Sequence, residues 1–190
     1  MKKFIFLLLL FVTACSEKNH IEIKRNNVET KEKHVFTEQE ITLGEAQTNI
    51  IDSGKNRVSN IKTACSAISG KKLYPGEEFS FNNATGKRNY ANGYKDAPII
   101  SDGEKSYGVG GGVCQVSTTI YMAAQNANLK ISEHHNHSTT VAYASSGNDA
   151  TVVFGIKDMK FINNTKNTIY IYVWTDSATV HSKIIVKTIV

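Results

Sequence analysis

The sequence predicts an α+β domain: an antiparallel sheet with helices packed on one face and a nucleophilic cysteine at a helix N-terminus. Three observations carry this. Two segments show the three- and four-residue apolar spacing of amphipathic helices, the C-terminal part is a series of strand-like runs, and the turns between those runs are tight enough to join antiparallel neighbours.

Taken in chain order, Lys2 and Lys3 precede the apolar run from Phe4 to Val12. That run is too short to span a bilayer and suits the core of a secretory signal, here residues 1–14. Its boundary, Val12-Thr13-Ala14-Cys15, resembles the bacterial lipobox. The resemblance implies that Cys15 is lipidated, becomes the mature N-terminus and anchors an exported protein to a bacterial membrane, since two or three acyl chains hold where one is marginal. An ordinary signal peptide with an incidental cysteine is the alternative. Ser16 is not the aspartate commonly associated with inner-membrane retention, which points to the outer membrane if the organism has two. From Ser16 to about Glu40, Lys, Glu, Asn, Thr and His dominate, the composition of a tether that cannot bury enough surface to fold alone. Residues 41–190 are then one domain of about 150 residues, enough for a single core.

Within that domain, Val58, Ile61, Ala64, Cys65 and Ile68 form a helical stripe, and a helix is expected over Arg57 to Ser69. Tyr74-Pro75-Gly76 is a turn, Glu78 to Phe81 a short strand, and Asn82 to Gly112 an irregular stretch of about 30 residues. Loops of that length are commonly functional, and this one carries Arg88, Tyr90, Tyr94 and Asp96 towards Cys114. Val113, Val116, Ile120, Ala123, Ala124 and Ala127 mark a second helix ending near Asn128. Strands are expected at His137 to Tyr143, Ala150 to Ile156, Met159 to Ile162, Thr168 to Trp174 and Val180 to Val190, with Ser146-Gly147-Asn148-Asp149 as a hairpin turn.

The stretch hardest to explain by folding alone is GGGVCQVSTT, residues 110–119. Its glycines permit positive φ and close approach of a ligand. Cys114 falls in the first turn of the helix, where unpaired N–H groups and the helix dipole favour a thiolate; a small buried core residue is the alternative. With Cys15 lipidated, Cys65 and Cys114 remain. Cys65 suits the core, although export would also allow a Cys65–Cys114 disulfide, which would remove the nucleophile. His137 shares a strand face with Thr139, Val141 and Tyr143, and Asp149 stands just past the hairpin turn, so the two are expected to be neighbours. Cysteine, histidine and aspartate so placed supply nucleophile, base and orienter for thiol acyl transfer; a structural histidine and a turn-capping aspartate are the alternatives. His134, His135 and His137 also raise a metal reading, but no further ligand lies at a typical spacing, and neither metal nor cofactor is expected.

The full chain carries +5, and removing Lys2 and Lys3 takes 22 basic residues to 20 against 17 acidic. This mild excess suits an anionic wall polymer. Without a Lys/Arg block interleaved with aromatics, and with export expected, nucleic acid is discounted as a partner.

Phe79-Ser80-Phe81-Asn82, Thr85-Gly86-Lys87-Arg88, Gly93-Tyr94, the run from Gly110 to Thr119, His137-Ser138, Asp149-Ala150-Thr151-Val152 and Lys160-Phe161-Ile162-Asn163-Asn164 together resemble the VanW domain family over about residues 55–175. That family was named from glycopeptide-resistance gene clusters, and some members act as L,D-transpeptidases making 3-3 peptidoglycan cross-links. The resemblance implies that Cys114 attacks a stem peptide and His137 moves the protons. On this reading the N–H groups around Gly112, Val113 and Cys114 form the oxyanion hole, and Arg88 holds a terminal carboxylate. Tyr94, Gln115, Ser117 and Thr118 join the candidate substrate-binding set; Ser117 and Thr118 could equally be structural polar residues of the helix. His134-His135 stands where many relatives have Arg-His, and many relatives carry additional wall-associated domains. The implied partners are peptidoglycan stem peptides and, through Cys15, the membrane; the chain is expected to be a monomer. A papain-like peptidoglycan endopeptidase and a non-catalytic stem-peptide-binding lipoprotein remain the alternatives.

Overall fold

The computed structural model describes residues 37–101, 104–176 and 178–189. The signal sequence, the lipobox-like boundary with Cys15 and most of the tether lie outside the described residues. Among these residues, no helix is long and apolar enough to cross a membrane.

The element order is β1 (Glu38–Asn49), α1 (Lys55–Ile68), β2 (Lys71–Leu73), β3 (Glu78–Ser80), α2 (Phe81–Thr85), a 3-10 turn at Tyr90–Asn92, β4 (Asp96–Ser101), β5 (Glu104–Val109), α3 (Val113–Asn126), β6 (Lys130–Glu133), β7 (Lys160–Ile162), β8 (Ile169–Thr175) and β9 (Thr179–Ile189). All strand pairings are antiparallel, which gives the expected α+β class. The strands are divided among three sheets: β1-β9-β8-β2, β3-β7-β6 and the β4-β5 hairpin.

The largest sheet carries the core. On β8, Ile169, Ile171 and Val173 alternate inward, and on β9 Val180, Ser182, Ile184 and Val186 do the same. Ile61, Ala64 and Ile68 of α1 and Val116, Ile120, Ala123 and Ala124 of α3 pack into one cluster with them. Each large aliphatic side chain so buried contributes about 1.5–3 kcal/mol, so both predicted stripes do the work their spacing implied. Cys65 is 4% exposed and unpaired, and Cys114 is also a free thiol, so no disulfide joins them.

Several expectations need correction. His137 to Tyr143 and Ala150 to Ile156 are not strands. Their backbone groups go elsewhere: His137 N–H donates to the Asp149 carboxylate at 2.7 Å, Ala150 N–H to Thr118 Oγ1 at 2.9 Å, and Thr151 N–H to His135 O at 2.8 Å. Polar anchoring thus overrides strand propensity. The stretch from Asn82 to Gly112 is not irregular throughout, because it holds α2 and the β4-β5 hairpin. β1 begins at Glu38, within the expected tether, and its mostly polar, exposed residues hide it from a search for apolar alternation.

β1 reaches the helices through one position. A bulge falls between Thr42 and Gly44, and a Cβ built on Gly44 would stand 2.3 Å from Ala127 N and 2.5 Å from Ala123 O. Glycine therefore lets the C-terminal turn of α3 rest on the strand. Gly44→Ala is expected to lower stability by at least about 1–3 kcal/mol, the usual cost of overpacking, measured as a shift of the urea midpoint at unchanged slope. An unshifted midpoint would show that the contact yields without cost.

Candidate functional site

The glycine run joins three elements. Gly112 caps α3 with φ 102°, the left-handed region that glycine alone enters freely, and a Cβ there would meet Arg57 Cγ of α1 at 2.9 Å. A Cβ on Gly111 would meet Pro98 O of β4 at 2.4 Å. The space a side chain would take is filled by the protein's own backbone and side chains, so these two glycines let α1, β4 and α3 meet while their backbone lines the neighbouring cleft. Cys114 emerges from that junction as the second residue of α3, half-buried.

Opposite Cys114 lies the connection from His134 to Val152. Its approach is fixed at Ala150: Ser117 Oγ donates to Ala150 O at 2.5 Å, and Thr118 Oγ1 accepts from Ala150 N–H at 2.9 Å. Both hydroxyls also bond to Cys114 O, at 3.0 and 2.8 Å. Ser117 and Thr118 are fully buried and saturated, and so are structural rather than substrate-facing. His134 lies against Tyr121, ring centroids 4.2 Å apart, with Nε2 2.7 Å from Asp149 O.

This places Asp149, 5% exposed, against the next histidine. Its Oδ2 is 2.6 Å from His137 Nδ1 and accepts His137 N–H at 2.7 Å; its Oδ1 accepts from Asn136 Nδ2 at 3.0 Å. Burial alone would raise the carboxyl, but the His137 N–H, the Asn136 amide and the imidazole together hold its pKa below the ordinary value. With Nδ1 engaged, His137 offers Nε2 to the thiol. Burial lowers the His137 pKa, yet the hydrogen bond and charge of Cys114 and those of Asp149 outweigh it and raise the ring above its usual value. Cys114 moves the opposite way. Burial opposes its ionisation, while the His137 hydrogen bond, a Val152 backbone hydrogen bond, the His137 charge and Thr151 lower its pKa on balance. The sulfur is 3.6 Å from Thr151 Oγ1 and 3.7 Å from Val152 O. The structure thus brings Cys114, His137 and Asp149 together.

Cys114 and His137 line one cleft of about 1030 Å³, with Asp149 buried behind the imidazole. Two cations line it, Arg57 buried and Arg88 half-buried. Arg88 donates from Nη1 to Asn82 Oδ1 at 2.7 Å and to Gly86 O at 3.0 Å, and lies over the Phe154 ring. Arg57, which sequence reasoning missed, donates to Gln115 Oε1 at 2.8 Å. Burial lowers the pKa of both guanidinium groups, and a Cys114 thiolate partly restores it. A basic residue in the first turn of a helix opposes the dipole, a signal that Arg57 requires a partner elsewhere.

Other candidates occupy different positions from those expected. Tyr94 is 2% exposed within the core, with its hydroxyl buried and unpartnered, and does not line the cleft. Gln115 borders the cleft but is fully buried, with its amide donating to Thr48 Oγ1 at 3.0 Å and Asn49 O at 2.9 Å, which ties α3 to β1. The Val113 side chain is core, and its N–H donates to Gly110 O at 3.1 Å, so it is not an oxyanion donor here. Among the described residues no group of three His, Cys, Asp or Glu is placed to hold a metal; His135 instead pairs with Glu133 at 3.0 Å.

A family model described as VanW like protein matches residues 56–185. The chain is 43% identical over 128 residues to "Uncharacterized protein YoaR" of Bacillus subtilis, covering 67% of this chain and 42% of that protein. It is 30% identical over 127 residues to "Vancomycin B-type resistance protein VanW" of Enterococcus faecalis, covering 64% of this chain and 46% of that protein. The chain therefore spans less than half the length of either curated relative. No solved structure matches.

The paired shifts predict a thiol that reacts early in a pH titration. Iodoacetamide is expected to alkylate Cys114 at lower pH than an ordinary thiol, with the rate rising through its lowered pKa, while Cys65, pushed up to about 12 by burial, stays unlabelled in the folded protein. His137→Ala removes the largest lowering influence and leaves burial opposed only by the Val152 and Thr151 hydrogen bonds, so its profile should move to higher pH. Equal, slow labelling of both cysteines would contradict an activated thiolate.

Proposed function

The chain belongs to the VanW family, and on that premise we propose that it is a cell-envelope lipoprotein transferring acyl groups between peptidoglycan stem peptides through Cys114. The observation that carries the proposal is the buried Asp149 carboxylate, 2.6 Å from His137 Nδ1, which leaves the other ring nitrogen for the thiol.

The roles follow from that order. Asp149 fixes the tautomer of His137 and stabilises the imidazolium. His137 takes the Cys114 proton, and the thiolate attacks the carbonyl preceding the terminal D-alanine of a stem tetrapeptide. The C–N bond breaks, the departing D-alanine amine receives the proton from His137, and the acyl group remains as a thioester. A side-chain amine of a neighbouring stem then attacks the thioester, loses its proton to the His137–Cys114 pair and restores the free thiol, leaving a 3-3 amide cross-link. Cys114 N–H, for which the described residues provide no acceptor, is an oxyanion donor at the helix start. Arg88 supplies positive charge for the donor's terminal carboxylate. The proposed setting is outside the cell, with Cys15 anchoring the domain near its substrate.

The direct test is analysis of muropeptides made by the purified protein. Cys114→Ala is expected to abolish the 3-3 dimer, a loss on the order of 10⁴-fold or more, and His137→Ala to slow its formation by about 10²–10⁴-fold. Product unchanged by Cys114→Ala would refute thiol catalysis, and cleaved stems in place of dimers would reassign the chemistry to hydrolysis.

A further inference from the structure

The β4-β5 hairpin holds a binding element of its own. Gly110 N–H donates to Lys95 O at 3.1 Å, and the antiparallel register continuing from that pair sets Asp96 opposite Val109, Ala97 opposite Gly108, Pro98 opposite Tyr107, Ile99 opposite Ser106 and Ile100 opposite Lys105. Bonded and non-bonded pairs alternate along an antiparallel ladder. With Lys95 and Gly110 a bonded pair, Ala97–Gly108 and Ile99–Ser106 are bonded too. The backbone groups of Asp96, Pro98 and Ile100 on β4, and of Lys105, Tyr107 and Val109 on β5, therefore point away from the partner strand. Pro98 agrees with this phase, because a residue without an N–H falls where the hairpin needs none.

The two outward edges differ. On β4, Pro98 offers no donor, and Asp96 O already accepts from Asn56 Nδ2 of α1 at 2.9 Å. On β5, the outward N–H and C=O groups of Lys105, Tyr107 and Val109 have no partner among the described residues. All three line the cleft, Tyr107 is 75% exposed, and the chain runs from Val109 through the glycines straight to Cys114. An uncovered edge is a template for another strand, and this one ends at the thiol.

We propose that β5 is the docking edge for the acyl donor, an extended oligopeptide that adds as a third strand and is led along Lys105, Tyr107 and Val109 towards Cys114. The edge from Lys105 to Val109 is about 13 Å long, room for about four extended residues. Pairing through the main chain supplies affinity while leaving side-chain identity to pockets along the cleft. The inference rests on the transferase reading only for the choice of a stem tetrapeptide as the peptide.

The test titrates the full chain, ¹⁵N-labelled, with a synthetic stem tetrapeptide, following amide shifts and solvent exchange. Shifts and slowed exchange are expected at the Lys105, Tyr107 and Val109 amides and not at Ser106 and Gly108. Tyr107→Pro removes an outward donor that the hairpin does not use, so it should weaken tetrapeptide binding at least tenfold, with the Ser106 amide still protected and the Cys114 alkylation rate unchanged. Ile100→Pro, on the opposite edge, should bind as the parent does. Parent-like affinity in Tyr107→Pro, equal loss in Ile100→Pro, or no binding of the tetrapeptide to the parent would each overturn the docking edge, whatever Cys114 does. An unreactive Cys114 alongside the expected amide shifts would instead sink the transferase and leave β5 as a peptide-binding edge.

Discussion

The site depends on the grip that α3 keeps on one residue, Ala150. Ser117 and Thr118 hold the carbonyl and the N–H of Ala150, and without that anchor a segment with little regular structure would be free to choose its own path. Once Ala150 is held, Asp149 is buried beside it, His137 is aligned by two bonds to one carboxylate oxygen, and the imidazole faces the helix start where Cys114 sits. The helix that carries Cys114 thus also positions His137 and Asp149. Replacing the Thr118 hydroxyl by a methyl group would leave the buried Ala150 N–H unpaired, at about 1–3 kcal/mol.

Electrostatics at the junction are mutually reinforcing. The thiol pKa is lowered and the imidazole pKa raised because each stabilises the charged form of the other, while Asp149 compensates the imidazolium and the Arg57 and Arg88 guanidinium groups interact with the charge on the sulfur. Burial opposes every one of these charges. The arrangement is affordable because nearly every ion has a partner whose position is set by packing and not by a flexible chain.

The two helices, their buried faces and the last three strands were legible in the sequence because apolar spacing reports them directly; His137 and Asp149 meet as expected, but through the anchored Ala150 and not across a hairpin of two strands. Three kinds of information were not. β1 and the β4-β5 hairpin carry polar or exposed residues and a proline, so their strand character arises from pairing and not from alternation. The segments at His137 and Ala150 look like strands by composition, yet their amides are claimed by Asp149 and Thr118, a competition visible only in three dimensions. Ser117 and Thr118 lie within the motif and Tyr94 in the stretch leading to it, but closeness in sequence to Cys114 does not tell a cleft-facing side chain from one turned to the core. Arg57 is the converse, distant in sequence and brought to Cys114 by the bare Cα of Gly112.

The contacts at Gly111 and Gly112 bear on how this ten-residue signature should be read wherever it occurs. Because a side chain at either glycine would collide with Pro98 or Arg57, selection for a stable fold alone would retain them. The same holds for Ser117 and Thr118, whose work is done inside the protein. A descendant could therefore keep most of the signature and turn nothing over. The informative positions are those that packing does not require, the sulfur of Cys114 and the imidazole of His137, and their replacement in an otherwise intact signature would mark an inactive branch.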